Sequence, residues 1–197
     1  MELNSQNKAR TPDQLTTLEG QIRECFGRVV YSHKTHEKCA DLLLSRLGKI
    51  KLSQLILSAL ATGGFISTLL GSGNWAAIVG TLVSTTLLVL NSYTKDFDLG
   101  ELAQKHRQAA ADLWLIRERY LSLLTDIRMD GNKIDSYLER RDDLLNELHS
   151  LYSGAPSTNY EAYKKAQEAL QKLEDLTFSD DEVDAFLPRE LKRGEDK

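Results

Sequence analysis

Hydrophobic and polar positions follow one rule through most of this chain. Apolar residues return every three or four positions, the period of an α-helix. Leu15, Leu18, Ile22, Cys25, Val29, His36, Leu43 and Ile50 mark one face of a long helix in this way. Thr11-Pro12-Asp13-Gln14 reads as its start, with Thr11 as N-cap, Pro12 in the first turn and Gln14 returning a capping-box bond. A second stripe, Leu99, Leu102, His106, Ala109, Leu113, Ile116, Tyr120, Leu123 and Ile127, alternates steps of three and four. Asp130-Gly131-Asn132 is a turn signal, after which Ile134, Tyr137, Leu144, Leu148 and Leu151 resume a stripe. Residues 153–159 (SGAPSTN) read as a loop in which Pro156 blocks the helix, and residues 160–176 as a further helix. Asp180, Asp181, Glu182 and Asp184 lie in a tail expected to be mobile.

The amphipathic rule fails between Lys51 and Lys95, where no charged residue occurs. Gly71-Ser72-Gly73-Asn74 divides this run into residues 52–70 and 75–94. Each part is about 20 residues, enough at ~1.5 Å per residue to cross the ~30 Å core of a bilayer. A buried hairpin of a soluble protein is the competing reading, but its outer face would meet water, and water selects charge there. The pattern therefore predicts a transmembrane helical hairpin. Ala59, Gly63 and Ser67 lie four apart, as do Ala76, Gly80 and Ser84. Such small-residue ridges let helices approach closely in lipid. They serve either to hold the hairpin together or to line a pore in an oligomer, since two helices alone enclose no channel.

Strand alternation and hairpin-turn dipeptides between apolar runs are few, so the fold class is all-α: a two-span hairpin with long cytoplasmic helices in a bundle. The expected divisions are 1–51, an N-terminal cytoplasmic helix; 52–94, the hairpin; 95–152, a helical stalk; and 153–197, a C-terminal helix and acidic tail.

Composition then narrows the functional classes. The net charge of −4 gives no electrostatic footprint for nucleic acid, and no direct binding to it is expected. The first fifty residues are too polar for a cleavable leader. Arg46, Lys49 and Lys51 before the hairpin, with Lys95, Lys105 and Arg107 after it, place both termini in the cytoplasm of a cell with an inner membrane. Cys25 and Cys39 then lie in a reducing compartment, where a disulfide is not expected.

Catalytic constellations were sought and none holds, so the chain reads as a non-enzyme without a cofactor. His36-Glu37 opens like a zinc-protease helix, but Ala40 stands where the second histidine belongs. His33, His36 and Cys39 recur every three residues without a fourth ligand, which favours a packed polar segment over a metal site. His36 and His106 fall on the two stripes at comparable distances from the hairpin. They read as core histidines that set register, or as a pH- or ligand-sensitive layer. Tyr31, His33, Lys34 and His36 are candidate contacts for a trigger or for lipid headgroups. A solvated face is the plainer reading, because Glu37 and Asp41 interrupt the positive charge.

A short helix, the stretch Tyr31–Ala40 (YSHKTHEKCA), two uncharged spans with a Gly-rich turn and a long following helix together resemble the SLATT family of two-transmembrane effector domains. The resemblance covers roughly Leu18–Leu151. It implies an effector of a bacterial antiviral system that oligomerises and breaches the inner membrane in abortive infection. It further implies neighbours such as a cyclic-oligonucleotide synthase, a nucleotide sensor or a reverse transcriptase. It carries no catalytic residue. The expected partners are the bilayer, further copies of the chain and such a system. A non-lytic anchor that recruits a soluble partner through residues 174–184 is the alternative.

Overall fold

The computed structural model describes residues 6–69, 74–130, 133–173, 175–188 and 192. The described residues are all-α: α1 (Gln6–Leu69), α2 (Asn74–Asp96), α3 (Leu99–Met129), α4 (Ile134–Gly154), α5 (Tyr160–Lys172) and α6 (Asp180–Phe186). The predicted turns at Gly71-Ser72-Gly73 and Gly131-Asn132 lie outside the described residues.

α1 is one helix of 64 residues, about 95 Å long at ~1.5 Å per residue. It begins at Gln6, upstream of the start predicted at Thr11. Lys8, Ala9 and Arg10 are strong helix formers, and Pro12 removes one ladder bond near the helix end. A seam of inward positions repeats every seven residues: Ile22, Val29, His36, Leu43, Ile50, Leu57 and Gly64 are all buried or half-buried. A strict seven-residue seam keeps one side of a helix toward its partner under a left-handed supercoil. The partner is α3 along the charged half of α1 and α2 along the uncharged half.

α3 runs antiparallel to α1. Its N-terminus is set by Asp98, whose side chain accepts a 2.8 Å bond from the Glu101 amide. The core joins Leu18, Ile22, Cys25 and Val29 of α1 to Leu113, Ile116, Tyr120, Leu123 and Ile127 of α3, closed at its far end by Tyr137 and Leu144 of α4. Toward the hairpin the packed positions include Ala40, Ala103, Ala109 and Ala110 beside His36, His106 and Leu99. This corrects one predicted position. Leu102 stays 38% exposed while Ala103 is buried, because the inward stripe steps four residues from Leu99 to Ala103 and three more to His106.

α5 lies on α1 through Ala162, Ala166 and Ala169. Asn159 caps it, accepting from the Ala162 amide at 2.9 Å, while its own amide donates to Cys39 Sγ at 3.8 Å. Beyond it, Lys34 on α1 holds Asp175 at 3.0 Å. The acidic cluster predicted as tail forms α6. Ser179 and Glu182 make a reciprocal capping box, and the acidic first turn opposes the helix dipole.

Leu113 is fully enclosed. Leu113→Ala is expected to destabilise the bundle by about 2–5 kcal/mol, read as a lowered thermal midpoint of the purified chain. Leu115→Ala, on the half-exposed outer face, is expected to leave the midpoint nearly unchanged.

Candidate functional site

Two linked regions carry the chemistry, the uncharged hairpin and a polar layer in the bundle. In the hairpin, Gln54 on α1 donates from Nε2 to Asn91 Oδ1 at 2.9 Å and to Thr94 Oγ1 at 3.3 Å on α2. An amide has few partners near hydrocarbon, so this clasp fixes the rotation of one helix against the other. Ser58, Thr62, Thr81, Thr85 and Thr86 each return their hydroxyl to the carbonyl four residues earlier, which satisfies them within their own helix. Among the described glycines of the hairpin, Gly64 comes nearest the opposite helix. A Cβ added there would stand 3.7 Å from Gly80 Cα and 3.9 Å from the Ala76 carbonyl oxygen.

The predicted ridges therefore separate. Ala76 and Gly80 of α2 lie on its half-buried side, and Ser84 borders the adjoining groove. On α1 the inward residues are Leu57, Ala61, Gly64 and Ser67. Ala59 is exposed, and nothing lies within 4 Å of a Cβ built at Gly63. As contacts within the hairpin, Ala59 and Gly63 are thus replaced by Ala61 and Gly64. The seven-residue seam and the Gln54 clasp set the phase, and the four-residue spacing inside the span did not. A groove of about 400 Å³ runs between the helices, lined by Ala61, Gly64, Ala76, Gly80, Ser84 and Thr85 among others. Phe65 at its edge, and Leu55 and Leu82 elsewhere on the hairpin, are about two-thirds exposed. An apolar surface of this extent is stable against lipid and not against water.

In the bundle, the two stripe histidines meet. His36 Nδ1 and His106 Nδ1 are 2.9 Å apart in a buried contact, with the rings 5.0 Å between centroids. One ring donates and the other accepts, so the bond requires at least one ring to be neutral, and protonating both breaks it. Burial pushes the His36 imidazole down to about 4, aided by the nearby His106 and His33. Burial likewise lowers His106 and His33, the latter against the opposing pull of Glu37. His33 Nε2 lies 3.8 Å from Glu37, and its buried Nδ1 has no hydrogen-bond partner among the described residues. Burial also pulls the Lys34 ammonium down, but bonds to Glu37 and Asp175 outweigh it and leave Lys34 above its ordinary value. Burial raises the Cys39 thiol.

The remaining predicted residues are placed as follows. Leu99, His106, Leu113, Ile116, Tyr120 and Leu123 are buried on the α1 side of α3, and Leu102 is not. Tyr31 turns toward α5, stacking on Tyr163 at 5.9 Å. Tyr31 precedes Leu52 by some twenty residues of unbroken helix, about 30 Å. Sequence spacing gave no sign of Gln54 as the clasp, of Asn159 over Cys39 or of Asp175 against Lys34. Gly64 was detectable, by extending the stripe from Ile50 in sevens.

A charge-free apolar hairpin continued as a charged helical bundle defines an all-α, two-span membrane protein. The match to known families is more particular. The chain belongs to the SMODS and SLOG-associating 2TM effector domain family 4 (SLATT_4), whose model matches residues 18–182. It is accordingly a non-catalytic effector domain linked to nucleotide-signalling antiviral, abortive-infection systems. No curated protein and no solved structure matches it.

A histidine held below its ordinary pKa stabilises the fold above that ordinary value and loses this contribution as pH falls toward the folded value. For His36 the window runs from about pH 6.5 down to about 4. The thermal midpoint is expected to fall steeply across it, while a His36→Leu, His106→Leu double variant flattens the profile. An unchanged profile in that variant rules the pair out as its source.

Proposed function

We propose that this chain sits in the bacterial inner membrane with both termini cytoplasmic, oligomerises through its hairpin and, when triggered, permeabilises the membrane. Arg46, Lys49, Lys51 and Lys95 at the hairpin ends support the orientation. The observation that carries the reading is the groove beside Gly64 and Gly80, flanked by outward apolar side chains on an uncharged hairpin. Small residues leave room there for the helix of a second copy, and no ionisable group in either span serves a proton- or ion-coupled carrier. Ala59 and Gly63, on the outer face, become contacts between copies. In this scheme residues 1–51 and 95–152 form the cytoplasmic stalk, 52–94 the effector hairpin and 153–197 an appendage. Trigger binding shifts α3, which continues from the second span after Asp98. The specific partners proposed are a nearby cyclic-oligonucleotide synthase, nucleotide sensor or reverse transcriptase.

A second reading is favoured by α6. Its residues are not buried, and Phe178 and Phe186 are largely exposed beside Asp180, Asp181, Glu182 and Asp184. Such a helix suits recruitment of a soluble partner by a non-lytic anchor.

The deciding measurement is membrane potential in living bacteria carrying the native operon during phage infection, read with a potential-sensitive dye. Depolarisation is expected before lysis, and Gly64→Leu is expected to abolish it while the protein still fractionates with membranes. Depolarisation by Gly64→Leu equal to wild type would sink the close-packing mechanism. An intact potential in the wild type moves the assignment to the anchor.

A further inference from the structure

A cleft opens along α1 where α4, the loop after it and α5 come together. It has two lobes that share Tyr31, Ser32, Tyr152 and Tyr163. The lobe nearer the hairpin, about 340 Å³, is walled by the Tyr31–Tyr163 pair and by Thr35, Ser157 and Thr158, with His36 at its side. Its lining carries hydroxyls and aromatic rings but no carboxylate, lysine or arginine. The other lobe, about 520 Å³, contains Arg23 and Arg28 against the single carboxylate of Glu24. Arg28 bonds Cys25 Sγ at 3.2 Å and makes no ion pair among the described residues, while Arg23 reaches Glu19 only at 3.9 Å. Gly27 keeps this lobe open, since nothing lies within 4 Å of a Cβ built there.

The walls are held by bonds across elements. Tyr152 donates to Ser32 Oγ at 2.7 Å, and Gln171 Nε2 donates to the Tyr31 hydroxyl at 2.7 Å. Tyr160 extends the aromatic ladder, 6.5 Å from Tyr163. Both lobes fall in the ~300–1,000 Å³ range of small-molecule sites.

We propose that this cleft binds a nucleotide, its base against Tyr31 and Tyr163 and its phosphate toward Arg28 and Arg23, and that occupancy is passed through His36 and His106 to α3. Aromatic faces accept a base by stacking, and the hydroxyls of Thr35, Ser157 and Thr158 are placed to meet its polar edge. An arginine without a carboxylate partner keeps its donors for phosphate oxygens. A simple anion makes no use of the tyrosine lobe, and a purely apolar ligand strands its hydroxyls. The ~30 Å to the hairpin excludes a lipid headgroup as the source of phosphate. The cleft shares His36 with the only contact between histidines of α1 and α3 among the described residues. A ligand that moves His36 therefore bears on the helix that follows the second span. The signalling role assigned to the site rests on the effector reading above.

The test is calorimetric titration of the full chain in nanodiscs with AMP, GMP and the dinucleotide pApA, using adenosine and inorganic phosphate as controls. At least one nucleotide is expected to bind saturably, at least tenfold tighter than adenosine or phosphate. Tyr163→Ala and Arg28→Glu are each expected to weaken it tenfold or more. Both residues are partly or largely exposed, and an unchanged circular dichroism spectrum excludes unfolding. Bound nucleotide is also expected to slow amide exchange around His106 in the wild type and not in His36→Leu. Saturable binding by none of the three nucleotides, or unchanged affinity in both variants, overturns the site. Binding by phosphate as tight as by nucleotide reduces it to an anion site and overturns it as well. Exchange around His106 that ignores nucleotide overturns the coupling. Absent binding with depolarisation intact rejects the cleft and leaves the membrane effector standing.

Discussion

An unbroken α1 is the constraint on which the rest of this structure depends. A single hydrogen-bonded ladder runs from the solvated bundle into the apolar hairpin, so one helical phase serves two different solvents. The same seam must present Ile22 and Val29 to a hydrophobic core, His36 to a polar layer, and Leu57 and Gly64 to a second apolar helix. A seven-residue period does this with no kink, because each repeat returns to the same side under a slight supercoil. The partner changes from α3 to α2 along the way, and both follow the direction opposite to α1. The hairpin and the bundle are in this sense one continuous antiparallel pair, interrupted on one side only, between Asp96 and Leu99.

What varies along that pair is the chemistry of the interface. At the far end, large side chains such as Tyr120 and Leu123 supply most of the burial, and the hydrophobic effect holds the helices. Near the hairpin, alanines take more of the packed positions. Inside the hairpin, lipid gives little hydrophobic drive between helices, so close contact at Gly64 and the amide clasp of Gln54 take over. The histidine pair lies in the bundle between these regimes. It contributes less by area than by demand, because its bond is lost once both rings are charged.

The stripes on α1 and α3, the meeting of His36 with His106 and the charge-free hairpin were legible from periodicity and from the absence of charge. Those signals are local and repeat often enough to average out exceptions. Small residues four apart occur on more than one face of a helix, so the spacing of Ala59, Gly63 and Ser67 leaves open whether they close the hairpin or meet another copy. Only the longer seam, carried across Lys51, chooses Gly64. Leu102 was misplaced because the count from Leu99 takes the step of three first, where α3 takes the step of four to Ala103. The pairings of Asn159 with Cys39, Asp175 with Lys34 and Tyr163 with Tyr31 join residues more than a hundred positions apart. Their geometry depends on where the loop after α4 returns the chain, and no local pattern encodes that. The acidic segment was read as tail from its composition, although Ser179 and Glu182 stand at capping-box spacing.

The uninterrupted α1 also behaves as a torsion shaft. Successive residues are about 100° apart around a helix, so a turn of that size at His36 is delivered to the hairpin with no hinge to absorb it. Such a turn exchanges Gly64 for Gly63 at the contact with α2 and swings a different set of side chains toward the surrounding lipid. It would also have to break the bond from Gln54 to Asn91, so the clasp ties the closure of the hairpin to the phase set in the bundle.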